Sequence, residues 1–145
     1  MEKTDAGSVV VRGSAAGFEQ EIHAGRHRLH GDEPVSAGGT DTGPSPYEFL
    51  LAALGACTSM TVGMYARRKG WPLEDVTVRL RHSKIHATDC AECDTEEGML
   101  DHIELEIHFD GLLTEEQRSK LVEMANKCPV HRTLTSEIEI RTREV

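Results

Sequence analysis

The sequence predicts an α+β fold in which antiparallel strands wrap around one long helix, and three observations predict it. Residues 49–66 carry no charge over eighteen consecutive positions, a run too long for one strand. Residues 75–86 and 100–109 alternate apolar and polar side chains, as half-buried antiparallel strands do. Short β-branched stretches precede the long run. The predicted order is strands, long helix, strands, helix, strand, which is an α+β arrangement.

The first 46 residues are predicted to form strands and a loop. Residues 1–7 are typical of a loose tail. Residues 8–12, 18–23 and 26–30 have the composition of three short strands. Residues 36–46 contain three Gly and two Pro, so they are predicted to be the loop that leads into the helix.

The long helix is predicted over residues 47–69 by the signals at its ends. Ser45 suits the N-cap, Pro46 the first helical position, and Glu48 completes a capping box. Gly70 suits the left-handed stop. Such a helix is about 35 Å long, whereas the radius of gyration of a compact chain of this length is about 15 Å. The helix therefore crosses the domain.

A helix that is apolar on all sides must be buried or lie in a membrane. Its many Gly, Ala, Ser and Thr residues favour burial over a membrane span. Small residues recur at helical spacing and form a strip that another helix can approach closely: Ala52, Ala56, Ser59 and Gly63. Because the chain has few other elements to cover this helix, we expect a second copy to cover it in a two-fold dimer.

The rest of the chain completes a single predicted domain, 1–145. A second capping box at Thr114 opens a helix to about residue 127. Cys128-Pro129 then starts another helical turn, and residues 136–143 are predicted to be a final strand. The domain thus comprises N-terminal strands and loop (1–46), the central helix (47–69) and C-terminal strands and helices (72–145).

The charge balance excludes some classes of partner. Sixteen basic and 25 acidic residues give a net charge of −9, which argues against binding to nucleic acid or an anionic membrane. No charged-then-apolar segment opens the sequence, so a cytoplasmic location is expected.

Cys57 and Cys128 each have a structural and a chemical interpretation. Cys57 lies mid-helix in apolar surroundings and is either a small core residue or a reactive thiol. Cys128 precedes a proline at a predicted helix start, so it is either a cap residue or a thiolate stabilised by backbone N–H groups. His131 and Arg132 can add positive charge there.

Cys90 and Cys93 form a C-x-x-C in an acidic connection. With His82 and His86 upstream they can supply soft ligands for zinc, and Cys90, Cys93 and His86 are the core of that set. The alternatives are a surface disulfide or free thiols. No resident cofactor is predicted, and the metal interpretation is the weaker one because the C-x-x-C is single.

The two sequence blocks GPSPYEFLLAALGACTSM and NKCPVHRTL, each built around one cysteine, resemble the OsmC/Ohr family, named for osmotically induced protein C and organic hydroperoxide resistance protein. The resemblance covers about residues 39–140 and is nearest to the general OsmC-like branch. It implies an intertwined homodimer with antiparallel sheets around two central helices. It also implies thiol-dependent reduction of organic hydroperoxides.

By position, the resemblance makes Cys57 the peroxidatic cysteine and Cys128 the resolving cysteine. An external dithiol, of the lipoyl type for example, would restore the pair. Glu48 has two interpretations, a capping-box residue or an active-site carboxylate. The family's glutamate position falls here on Tyr47, one residue before Glu48. Its companion arginine can be one of three in the N-terminal strands: Arg12, Arg26 or Arg28.

Apolar residues on the long helix can accommodate the organic part of the peroxide: Leu54, Met60 and Met64. Two alternatives to a peroxidase stay open. One is a non-catalytic dimer of the same fold that binds a small molecule or a metal. The other is a redox switch in which a Cys57–Cys128 disulfide alters a partner surface.

Overall fold

The computed structural model describes residues 7–145, and residues 1–6, most of the predicted tail, lie outside the described residues. The chain divides into two compact units, the first ending at Leu50 and the second being Leu51–Val145. Antiparallel sheets and one long helix make up the fold, so the predicted α+β class is confirmed.

The first unit contains a three-stranded antiparallel sheet in the order β1-β2-β3. The strands are β1 (Val9–Gly13), β2 (Gln20–Ala24) and β3 (His27–Gly31). In the register, Val11 lies opposite Ile22, and Ile22 opposite Leu29. Three short strands were predicted here, and each observed strand lies within two residues of its predicted position.

A loop of residues 32–45 follows β3, and it is organised around the buried carboxylate of Asp32. One Asp32 oxygen accepts hydrogen bonds from the hydroxyls of Thr40 (2.6 Å) and Thr42 (2.8 Å) and from both their amides. The other accepts the Glu33 amide at 2.7 Å. A Cβ at Gly39 would overlap the Glu33 carbonyl, so the loop requires glycine there. The hydroxyl of Thr40 is the largest of the causes that hold the pKa of Asp32 well below its usual range.

We expect Asp32→Asn to destabilise the protein at neutral pH, because one amide group cannot accept from all these donors. A carboxylate with a depressed pKa stabilises the fold above its unfolded pKa of about 3.9 and loses that effect as the pH falls through its folded pKa. The difference in unfolding free energy between wild type and variant should therefore shrink below about pH 4. Urea unfolding from pH 7 to pH 3 measures it.

Asp41→Asn is the matched control, since it removes the same charge from an exposed position in the same loop. Asp41 has a positive φ of 54°, which asparagine tolerates. A wild-type advantage over Asp32→Asn that stays constant down to pH 3 would contradict this account of the loop.

The long helix, α1, spans Pro46–Lys69, as the capping signals predict. Within residues 7–145 it is the single helix long and apolar enough to cross a membrane, and 28% of its apolar window is buried. Core helices of soluble proteins pass the same test of length and composition. In the second unit its inner face is formed by five buried residues: Leu54, Gly55, Thr58, Val62 and Ala66.

The second unit also contains a long two-stranded hairpin, β4 (Leu73–His86) and β5 (Met99–Gly111), and two helices, α2 (Glu115–Ala125) and α3 (Pro129–Leu134). Thr114 caps α2 in the predicted capping box. The core of this unit joins α1, β5 and α2 through Val62, Ala66, Phe109, Leu121 and Ala125. A Cβ on Gly55 would lie 2.8 Å from Leu80 Cδ1, so α1 packs closely against the middle of β4.

The predicted final strand, residues 136–143, is wrong for the isolated chain. Residues 137–145 form no helix or strand, and all of them are exposed. Ile138 and Ile140, which were predicted to point inward, are 52% and 83% exposed. A strand forms only where a neighbouring backbone completes its hydrogen bonds, and no strand among residues 7–145 pairs with this segment.

Candidate active site

Cys128 is held at the start of α3. It is the N-cap residue and Pro129 occupies the first turn, as the Cys-Pro sequence predicts. The amide of His131 donates a hydrogen bond to Cys128 Sγ at 3.3 Å. Cys128 is fully buried, with no exposed surface. The Cys128 sulfur is therefore the acceptor that caps the first turn of α3.

The side chain that meets Cys128 from α1 is Thr58. Its Oγ1 lies 3.7 Å from Cys128 Sγ, and both residues are fully buried. The same Oγ1 donates to the Leu54 carbonyl at 2.7 Å. Because a hydroxyl has one proton to give, the Cys128 thiol is the donor toward Thr58 while the bond to Leu54 is made.

Cys57 is the residue directly before Thr58, so α1 brings it beside the contact with Cys128. Consecutive Cα atoms are about 3.8 Å apart, and consecutive helical side chains differ by about 100° in direction. Cys57 is half-buried, whereas Cys128 is fully buried, and neither is in a disulfide. The two predicted redox residues thus lie in the same part of the second unit, with the more accessible thiol on the helix.

Sequence reasoning did not single out Thr58. Its signal is a threonine four residues after Leu54 in an apolar helix, where the hydroxyl can bond the carbonyl of the preceding turn. That pattern predicts the local bond, but it cannot predict that the hydroxyl faces a sulfur 70 positions away.

Glu48 has the geometry of a capping-box residue. Its carboxylate accepts the Ser45 amide at 3.1 Å, and its own amide donates to Ser45 Oγ at 3.4 Å. Both bonds are local to the start of α1, and the Glu48 side chain is exposed. The catalytic interpretation of Glu48 stays a prediction.

The three arginines considered as its companion all lie in the first unit. Arg12 is in β1, Arg28 is in β3, and Arg26 is in the turn between β2 and β3. Arg28 Nε lies 3.4 Å from a carboxylate oxygen of Glu21. This ion pair is solvent-exposed, so it contributes little to stability.

The C-x-x-C forms a disulfide between Cys90 and Cys93. In this state the two sulfurs bond each other and are not thiolate ligands. His82 lies 2.9 Å from Asp101 across the hairpin. Among residues 7–145 no group of three or more His, Cys, Asp or Glu side chains is arranged to hold a metal ion.

Fold and site define an α+β thiol protein with one cysteine on a long helix and a second capping a short helix against it. Residues 39–143 match the model of the family described as OsmC-like protein. The chain belongs to this family, as the two cysteine-centred blocks predicted.

Solved structures of similar fold include three from bacteria. One is the OsmC-like protein from Mycoplasma pneumoniae (19% identity, 88% of this chain and 85% of that chain, TM-score 0.68). Another is the organic hydroperoxide resistance protein OsmC from Legionella pneumophila (22% identity, 88% of each chain, TM-score 0.64). The third is the organic hydroperoxide resistance protein OhrB of Bacillus subtilis (21% identity, 88% of this chain and 89% of that chain, TM-score 0.61). No curated protein matches the chain.

Proposed function

We propose that this protein is a thiol-dependent peroxidase that reduces organic hydroperoxides through Cys57 and Cys128. Family membership and the names of the Legionella and Bacillus structures, both organic hydroperoxide resistance proteins, support this class of reaction. The observation that carries the proposal is the buried contact of Cys128 with Thr58, the residue that follows Cys57 on α1.

The difference in exposure between the two thiols fits two different roles. Cys57 is half-buried and can meet a peroxide that enters from solvent, whereas Cys128 is closed off from solvent. In the proposed reaction the Cys57 thiolate attacks the terminal peroxide oxygen. The O–O bond breaks, the organic oxygen takes a proton and leaves as an alcohol, and Cys57 becomes a sulfenic acid.

Cys128 completes the cycle in this proposal. Its thiolate attacks the Cys57 sulfur, the hydroxyl leaves as water after protonation, and a Cys57–Cys128 disulfide forms. The His131 amide supports charge on Cys128 as the thiol proton leaves. An external dithiol, either a small molecule or a lipoyl group, then reduces the Cys57–Cys128 disulfide and is itself oxidised to a disulfide.

We also propose that the working form is a homodimer. The face of α1 opposite the core is apolar and exposed in the single chain, with Met60 72% and Met64 43% exposed and Ala52 and Ala56 on the same side. A second copy would cover this face, and the resemblance suggests it would complete the site. Glu48 enters the proposal through the resemblance, as a carboxylate that holds an arginine beside the Cys57 thiolate.

The three apolar residues expected to receive the organic group do not lie on one face of α1. Leu54 is 5% exposed and belongs to the inner face, whereas Met60 and Met64 are on the exposed face. In this proposal Leu54, whose carbonyl accepts the Thr58 hydroxyl, is the residue nearest the chemistry. The two methionines belong to the proposed subunit interface.

Peptide mapping after one equivalent of cumene hydroperoxide tests the proposal. Trypsin leaves Cys57 and Cys128 on separate peptides, 29–67 and 128–132. We expect a disulfide-linked pair of these peptides in the oxidised protein and none after reduction with dithiothreitol. Cys57 oxidised to sulfenic or sulfinic acid without the linked pair would contradict the role of Cys128. No oxidation of Cys57 would contradict the peroxidase itself.

A further inference from the structure

A second pair of cysteines lies at the tip of the β4–β5 hairpin, outside the site described above. Cys90 and Cys93 are joined by a disulfide, with their Cα atoms 5.5 Å apart. Both residues are half-buried, whereas the other residues of 88–98 are exposed, so each cysteine retains solvent-accessible surface. A disulfide that is open to an attacking thiolate can exchange.

Backbone hydrogen bonds close the hairpin at the base of the tip, in addition to this disulfide. The hairpin is paired as far as His86 opposite Met99, and the Ala87 amide then donates to the Gly98 carbonyl at 2.8 Å. The ends of the tip are therefore already joined by backbone hydrogen bonds. A disulfide constrains the unfolded chain more as the loop it closes grows longer. With two residues between the cysteines, this disulfide constrains the unfolded chain less than a bridge that closes a longer loop.

The electrostatic setting of the pair is strongly negative. The tip residues 87–98 carry five carboxylates and no lysine or arginine. All five are exposed: Asp89, Glu92, Asp94, Glu96 and Glu97. A thiolate that approaches either sulfur must enter this field, which opposes an anionic reductant and attracts a cationic one.

We propose that Cys90 and Cys93 are a thiol–disulfide exchange couple, separate from Cys57 and Cys128, whose redox partner is a dithiol with positive charge next to its reactive sulfur. The partner's thiolate attacks one cysteine sulfur and breaks the S–S bond, and the released cysteine thiolate takes up a proton. The partner's second thiol then attacks the mixed disulfide. The protein gains two electrons and two protons, and the partner leaves as a disulfide.

The rate at which three monothiols of different charge reduce the disulfide tests this proposal in the full-length protein. The probes are cysteamine (cationic), 2-mercaptoethanol (neutral) and glutathione (anionic), with rates expressed per thiolate. Trypsin places both cysteines on peptide 85–118, apart from Cys57 and Cys128, so alkylation and mass spectrometry follow this pair alone.

At low ionic strength we expect cysteamine to react at least about ten-fold faster than glutathione, with 2-mercaptoethanol between them. The rates should converge in 0.5 M salt, where charges are screened within a few ångströms. The double variant Glu92→Gln/Asp94→Asn should have a smaller ratio of the cysteamine rate to the glutathione rate, because it removes two of the five negative charges. The reduced protein should keep its far-UV circular dichroism and a Tm within about 4 °C of the oxidised form.

Three outcomes would overturn the proposal. The pair could stay oxidised in excess dithiothreitol, the three thiols could react at equal rates at low salt, or reduction could unfold the protein. The first would mean that the bond is closed to exchange, the second that the carboxylates select no partner, and the third that the bond is structural.

Discussion

Cys57→Ser is expected to lower the turnover of cumene hydroperoxide with dihydrolipoamide by at least about a thousand-fold. Removing the nucleophile of a covalent mechanism has effects of this size or larger, because the remaining residues cannot replace its bond-forming step. A serine hydroxyl is a far weaker nucleophile toward peroxide than a thiolate. The measurement is steady-state peroxide loss, with the reductant in excess.

Cys128→Ser is expected to behave differently, and the contrast separates the two roles. Cys57 remains able to react once, so the variant should consume about one equivalent of peroxide per subunit. It should then slow to the rate at which the dithiol reduces the Cys57 sulfenic acid directly. A stopped-flow trace with a burst in Cys128→Ser, and none in Cys57→Ser, is the expected pattern.

The matched control is the double variant Cys90→Ser/Cys93→Ser, which removes two sulfurs from the hairpin tip. It should retain turnover close to that of the wild type, because the exchange couple proposed at the tip is separate from the peroxide cycle. Wild-type turnover in Cys57→Ser would contradict the peroxidase proposal. A burst in both single variants would contradict the division of roles between Cys57 and Cys128.

The elements whose signals are local in sequence were predictable. The capping boxes at Ser45 and Thr114, and the Cys128-Pro129 helix start, depend on residues within three positions of one another. The alternation that predicts β4 and β5 is local in the same sense. These signals fix the long helix and the hairpin to within a few residues.

The features that depend on distant residues were not predictable in this way. The contact of Thr58 with Cys128 brings together residues 70 positions apart, which no local pattern encodes. The Asp32 cluster depends on a loop that folds back over eight to ten residues. The alternation of apolar and polar residues in 136–143 is that of a strand, but the predicted strand does not form. No strand within the described part of one copy lies beside this segment to pair with it.

The exposed face of α1 and the unpaired C-terminal segment have the same physical explanation in the proposed homodimer. An apolar helix face left in water is destabilising in proportion to its area, and exposed apolar patches of this kind mark interaction sites. A second copy that covers the exposed face of α1, which includes Met60, would remove that destabilisation. A partner strand would also give residues 136–143 the strand pairing that no strand among residues 7–145 of one copy provides.

Met60→Lys is therefore expected to convert the dimer to a monomer at micromolar concentration. The substitution places a charge in the middle of the proposed apolar interface, where two-fold symmetry brings two copies of it into one interface. Burying an unpaired charge costs several kcal/mol, which corresponds to a Kd raised by at least about a hundred-fold. Sedimentation equilibrium of wild type and variant measures the change.

Met99→Lys is the control, because it introduces the same charge at another exposed methionine, at the start of β5. The Met99→Lys variant should have the same dimeric mass in solution as the wild type. A monomeric wild type would contradict the homodimer. If Met60→Lys stays dimeric, the subunit interface does not include this face of α1. The peptide-mapping experiment is a separate readout, because the linked peptides 29–67 and 128–132 report the Cys57–Cys128 bond and not the mass of the protein.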